Sequence, residues 1–343
     1  MATVNILAMT DPAVLADDVA DEMSTVLIGM DEEIEQLLIS VLTRGHVLLE
    51  GVPGVAKTTL ADAFAQATGL TYNRIQMTPD ILPADITGTT VYREQTGEFE
   101  LREGPVFANT VVADEINRAT PKTQSALLEA MAEEHVSIEG ETLALPSPFL
   151  VIATQNPIEM EGTYDLPEAQ RDRFQQKLIV ELPDTDSEQE MLARANEQPT
   201  LDVADIEPVA GSDDIRAARD VVADIHVEDV VNEYILQLVT ESREHPDVAH
   251  GASPRGSLAL LRMAKARAAI RGREYVLSDD VKSLVKPVFR HRLVRTTDAE
   301  LSDIAVESII AEIQSAVTPP EAAAVDSDQL DEPPAEATSN SSS

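Results

Sequence analysis

The chain has 343 residues, 43% of them hydrophobic, which is enough for two ordinary domains and too apolar for a wholly disordered polymer. Cysteine is absent, which excludes disulfides, thiolate zinc sites and cysteine nucleophiles. Acidic residues number 62 against 25 basic ones, and the resulting net charge of −37 opposes general binding to a phosphate backbone.

In chain order, residues 1–23 read as an N-terminal extension. Met1 to Asp11 lacks the basic start and long apolar stretch of a secretory signal. No apolar run reaches the roughly 18 residues of a membrane span, so a cytoplasmic location is expected. Over residues 24–184, short apolar runs alternate with helical patterns. The runs are His46–Glu50, Leu70–Met77, Thr110–Asp114, Phe149–Gln155 and Lys177–Leu182. That alternation predicts an α/β core, a doubly wound five-stranded parallel sheet.

Two β-ribbons are expected to interrupt the core. One pairs Thr89–Arg93 with Glu98–Arg102, the other Val136–Ile138 with Thr142–Leu145. Beyond Pro183, helices are expected near 187–197, 212–225, 229–244, 253–272, 278–287 and 300–317, an all-helical lid domain over 185–317. Ser253-Pro254 and Thr120-Pro121 each set a capping hydroxyl before a proline at the first helical position. Residues 318–343, rich in Pro, Ala, Ser and acids, read as a disordered acidic tail.

The segment Gly51-Val52-Pro53-Gly54-Val55-Ala56-Lys57-Thr58 follows an apolar strand and precedes the helix Thr59–Thr68. That is the context of a phosphate-binding loop: glycines let backbone N–H groups turn toward phosphates, and the helix N-terminus adds positive potential. Lys57 is expected to reach the β- and γ-phosphates and Thr58 to ligate Mg²⁺. Ala56 stands where the strict pattern has its second glycine, and it is expected to have helical torsions in the first turn. Val111-Val112-Ala113 then delivers Asp114 and Glu115 to the end of a buried strand. Asp114 would hold Mg²⁺ through water and Glu115 would polarise the attacking water. Asn156, after Val151–Gln155, would orient that water against the γ-phosphate.

These three segments together resemble the AAA+ ATPases. The stretches GHVLLEGVPGVAKT, ADEINRA, LLEAMAEEHVSIEG, ATQNPIEMEGTYDLPEAQRDRF and ASPR resemble the MoxR family in particular, over roughly residues 24–295. The resemblance implies ATP hydrolysis, a homo-oligomer in the form of a hexameric ring, chaperone-like remodelling of other proteins, and partners with von Willebrand A domains. It implies that Arg173 is an arginine finger for a neighbour's γ-phosphate, with Arg171 as the rival. It further implies that Val26–Gly29, Gly29 included, cups the adenine, and that Arg255 touches phosphate from the lid. Arg255 stands in the first turn of a helix, where a cation opposes the helix dipole but completes an anion site. Arg171 departs from the apolar residue expected at its position, and Asp165 from proline.

Two other readings compete: a nucleic-acid motor or loader like the MCM helicases, and a nucleotide-gated scaffold without turnover. The six histidines lack paired metal-ligand spacing, and Arg290-His291-Arg292 reads as a solvated basic helix face. With only six lysines, the acidic surface resembles proteins of salt-loving archaea, for which acidity serves solubility. The competing view is an acidic protein seeking a basic partner.

Overall fold

A computed structural model describes residues 11–95, 97–157 and 163–320. The chain enters on α1 (Pro12–Ser24), whose first turn is capped by the Asp11 carboxylate accepting from the Ala13 N–H at 2.9 Å. Leu15, Val19 and Met23 of α1 are buried, so the supposed extension includes a packed helix. Next come α2 (Asp31–Leu42), β1 (Val47–Glu50), α3 (Lys57–Ala67), β2 (Tyr72–Gln76) and a single turn, α4 (Pro83–Thr87). A ribbon of β3 (Gly88–Arg93) and β4 (Glu98–Glu103) precedes β5 (Thr110–Asp114) and α5 (Pro121–Glu133). A second ribbon, β6 (His135–Ile138) and β7 (Glu141–Ala144), leads to β8 (Leu150–Gln155), α6 (Glu168–Arg171) and β9 (Gln176–Ile179).

Five strands form one parallel sheet in the order β2-β5-β8-β1-β9, as the alternating pattern predicts. Val47, Leu49, Val112 and Ile152 face one apolar layer; Leu48, Val111, Ala113, Val151 and Ala153 face the other. Burial on both faces is the reason these strands read as unbroken apolar runs. Every strand of the sheet runs the same way, so the loops after β1, β5 and β8 gather at one end of it.

Asp184 then caps α7 (Thr185–Glu197) by accepting from the Ser187 N–H at 2.8 Å. The rest is α8 (Ser212–Asp224), α9 (Asp229–Glu244), β10 (Val248–His250), α10 (Pro254–Ile270), α11 (Ser278–Phe289), β11 (Val294–Arg295), α12 (Thr297–Leu301) and α13 (Val306–Ala316). The helices thus carry one minimal antiparallel pair, β10 with β11. Leu37, Leu49 and Phe64 of the first half share one apolar cluster with Tyr234, Met263, Phe289 and Ile310 of the second.

Three local expectations are corrected. The helix expected over 300–317 is two helices, because Asp303 adopts φ 53° and Ala305 is extended. Thr120 caps no backbone N–H; its hydroxyl lies 3.1 Å from that of Thr123. Ser253 does cap α10, accepting from the Arg255 N–H at 3.1 Å. In the Arg290-His291-Arg292 cluster, His291 and Arg292 are buried against the backbone just ahead of β9, while Arg290 faces Glu307 of α13 at 3.5 Å. Arg292 donates to the carbonyls of Phe174, Gln175 and Val288 and to Asp172. Of the acidic tail, residues 321–343 lie outside the described residues.

Candidate active site

The loop after β1 is shaped by residues without room or with unusual torsions. A Cβ on Gly51 would lie 2.5 Å from the Val180 carbonyl oxygen, so only glycine fits there. Gly54 has φ +89° and open space around it. Ala56 is left-handed (φ 57°, ψ 24°), not helical as expected, although its carbonyl already accepts the Leu60 N–H at 2.8 Å. The chain must reverse at this point to turn its N–H groups inward, and that reversal is the reason the strict motif has glycine. Val55 is buried beneath the loop and Val52 packs on the same apolar layer. Lys57 opens α3 and folds back, its Nζ donating to the carbonyls of Gly51 (2.5 Å) and Val52 (2.9 Å). Burial lowers its pKa, against the opposing pull of Asp114, Glu115 and Glu50.

Asp114 ends β5 almost wholly buried. Its Oδ1 accepts from the Thr154 hydroxyl at 2.7 Å, and its Oδ2 accepts from the Arg74 guanidinium. Glu115 has left-handed torsions (φ 56°, ψ 53°), which turn its side chain away from the strand line. Its N–H donates to the Thr154 hydroxyl at 2.9 Å; its Oε2 accepts from Gln76 (3.1 Å) and Arg118 (2.8 Å). Thr154 therefore stitches both acids to β8, a role the sequence reading missed. Lys57, Thr58, Asp114, Glu115, Thr154 and Asn156 line one cavity of about 230 Å³, with Pro53, Gly54, Ala56 and Thr59 along its loop side. Asn156 is buried in its wall. Gly29 is absent from that lining. It has φ +70°, and a Cβ there would lie 2.7 Å from Ser187 Oγ, at the start of α7.

Arg173 and Arg255 lie elsewhere. The Gln175 N–H donates to the His46 carbonyl at 2.8 Å, which fixes this segment at the beginning of β1, whereas Lys57 follows its end. The four residues of β1 span about 13 Å. Arg173 donates to the Leu128 carbonyl at 2.6 Å. Asp172 is taken instead by Arg292 (2.9 Å) and the Ser253 hydroxyl (2.9 Å), with Arg255 at 3.9 Å. Arg173 and Arg255 share a second cavity of about 260 Å³ with Asp172, Arg44, Arg262 and Arg292. Arg171, the rival of Arg173, is not part of that lining.

The arrangement suits a triphosphate: a cationic loop, a helix N-terminus, and acids at the neighbouring strand ends. Residues 46–176 match the model of the ATPase family associated with various cellular activities (AAA), and residues 240–313 match the AAA lid domain. The chain is 44% identical over 300 residues to the uncharacterized protein YeaC of Bacillus subtilis, covering 88% of this chain and 93% of YeaC. It is 44% identical to Chaperone MoxR1 of Mycobacterium tuberculosis over 313 residues, 89% of this chain and 82% of that protein. The chain belongs to the MoxR family of AAA+ ATPases. The crystal structure of a candidate ATPase from Cytophaga hutchinsonii superposes with a TM-score of 0.84 at 38% identity, covering 90% of this chain and 96% of that one. This MoxR-family chain is an ATPase built as a parallel-sheet core with a helical lid. No helix among its described residues is long and apolar enough to cross a membrane.

Proposed function

We propose that this MoxR-family ATPase uses hydrolysis to remodel or mature partner proteins or complexes, in a homo-oligomer whose neighbouring copies complete each other's sites. One observation carries the reading. Lys57, Thr58, Asp114, Glu115 and Asn156 line a single cavity, while Arg173 and Arg255 stand together at the far end of the same sheet. Arg173 is held just before β9, at the start of β1, away from its own copy's cavity, which supports its supply from a second copy.

In the occupied site, Lys57 exchanges the carbonyls of Gly51 and Val52 for phosphoryl oxygens. The loop N–H groups and the first turn of α3 hold the phosphates. Glu115 orients the attacking water and draws on its proton, and Asn156 fixes that water's position. Arg173 from the neighbour meets charge developing on the γ-phosphoryl group with its planar fork, and Arg255 adds a second cation from the lid. The donors facing the cavity beside Lys57 are oxygens, from Thr58 and Asp114, and that set fits Mg²⁺. Held by Thr58 and Asp114, such an ion would supply positive charge against the phosphates.

The resemblance supports a hexameric ring and a partner with a von Willebrand A domain, and the name of the mycobacterial relative, a chaperone, supports remodelling as the output. The acidic surface supports a cytoplasm rich in salt. Glu115→Gln should still bind ATP while phosphate release falls about a hundredfold or more. Unchanged turnover would remove Glu115 from this role. Stimulation by DNA at working salt would turn the reading toward a nucleic-acid motor.

A further inference from the structure

Arg74 answers to no part of the phosphate-loop motif or the acidic pair. It lies on β2 two residues before Gln76, on the same strand face. In the β2–β5 register Arg74 stands opposite Val112 and Gln76 opposite Asp114, so both side chains are beside the two acids. Gln76 holds Glu115 at 3.1 Å, and Arg74 holds Oδ2 of Asp114. With Thr154 on Oδ1, each oxygen of Asp114 carries a donor from the chain itself.

The exposure of the two partners is unequal. The Arg74 side chain is 48% exposed and that of Asp114 12%. A half-solvated cation therefore leans on a nearly buried carboxylate. Such a pair is weak, since the arginine loses side-chain freedom and is partly screened by solvent. Its charge nonetheless stands where a divalent ion's charge would add to it, and two cations drawn to one carboxylate repel at this range.

We propose that Arg74 sets the divalent-ion affinity of the site by competing with the ion for Asp114. It neutralises the acid while no ion is held and gives way as the ion binds. The idea rests on the reading of Asp114 as the metal-side acid, and the test separates the two. Full-length chain with saturating ADP is titrated with Mn²⁺ at fixed KCl, and free Mn²⁺ is read by electron paramagnetic resonance, without turnover. Arg74→Gln should bind Mn²⁺ about three- to fivefold more tightly than the wild type, the upper part of the range a half-exposed pair allows. Arg74→Lys, which keeps the charge and loses the fork, should fall between the two. Equal or weaker Mn²⁺ binding by Arg74→Gln overturns the competition. Should that variant fail to fold, Arg74→Lys has to bind at least about twofold more tightly than the wild type, and equality overturns the proposal. Asp114→Asn should abolish tight Mn²⁺ binding; if it does not, the metal role of Asp114 is what fails.

Discussion

At Ala56 a methyl group is held in left-handed torsions that cost an ordinary L-residue about 1–2 kcal/mol. Replacing it by glycine would relieve that cost and raise the entropy of the unfolded chain, so the net change should stay within about 1 kcal/mol. Ala56→Val is different, because a β-branched side chain at positive φ is a severe outlier. It should lower stability by about 2 kcal/mol and weaken nucleotide binding, as read from urea midpoints and fluorescent-ADP titration. Wild-type values in both would contradict the strained-loop account. His46 makes a second prediction. It is buried between the Met131 carbonyl (3.0 Å) and the Val151 N–H (3.0 Å), and burial lowers its pKa to about 4. The unfolded chain protonates this group near its ordinary value of 6.5. Between those values the unfolded state binds more protons, so stability drops as pH falls from 6.5 toward 4, by up to about 3 kcal/mol. His291, buried with its pKa also lowered, steepens the same slope. His46→Gln should therefore flatten the loss between pH 7 and pH 5 in part, and an unaltered slope would clear His46 of it. The phosphate loop and the acids were legible because strand, loop and helix are consecutive in sequence. Thr154 and Arg74 were not, since each reaches Asp114 across 40 residues of chain.

Among elements, the junction of sheet and lid rests on a cation the sequence disguised. Arg292 sits 3% exposed and spends its donors on Asp172 and on backbone carbonyls ahead of β9 and in α11. Burial lowers its pKa to about 10, with Asp172 opposing that fall. Arg292→Met should destabilise the chain by about 3 kcal/mol, because it leaves three buried carbonyls without their donor and takes one from Asp172. The thermal midpoint measures it, and a shift under about 2 °C would show the junction is held by apolar packing alone. The strands and most helices were legible from period and capping, each a local signal. The junction was not: a run of Arg-His-Arg looks the same in sequence whether it faces water or plugs a carbonyl-rich sheet edge. The break at Asp303 escaped for a related reason, as only torsions distinguish a turn there from a helical residue.

For the whole molecule, a net charge of −37 makes self-repulsion a stability term. Raising KCl from 0.1 M to 1 M shortens the screening length from about 10 Å to about 3 Å, so the melting temperature should climb with salt. A flat or falling curve would detach the acidity from salt adaptation. The proposed division of the site between copies has its own test. Arg173→Ala and Lys57→Ala chains should each be inactive alone and regain ATPase activity when mixed, because one retains the cavity and the other the finger. No rescue with oligomers intact would count against Arg173 acting between subunits. Arg173 and Arg255 stand at the opposite end of β1 from Lys57, so giver and receiver are unlike surfaces. A pair related by two-fold symmetry joins like surfaces and could not satisfy both ends, so the proposed sharing of sites requires head-to-tail assembly. Under that proposal an open arc would waste one cavity and one finger at its tips, and only closure would recover them. Dilution alone would act as an off-switch, with activity per chain rising steeply as arcs shut into complete circles.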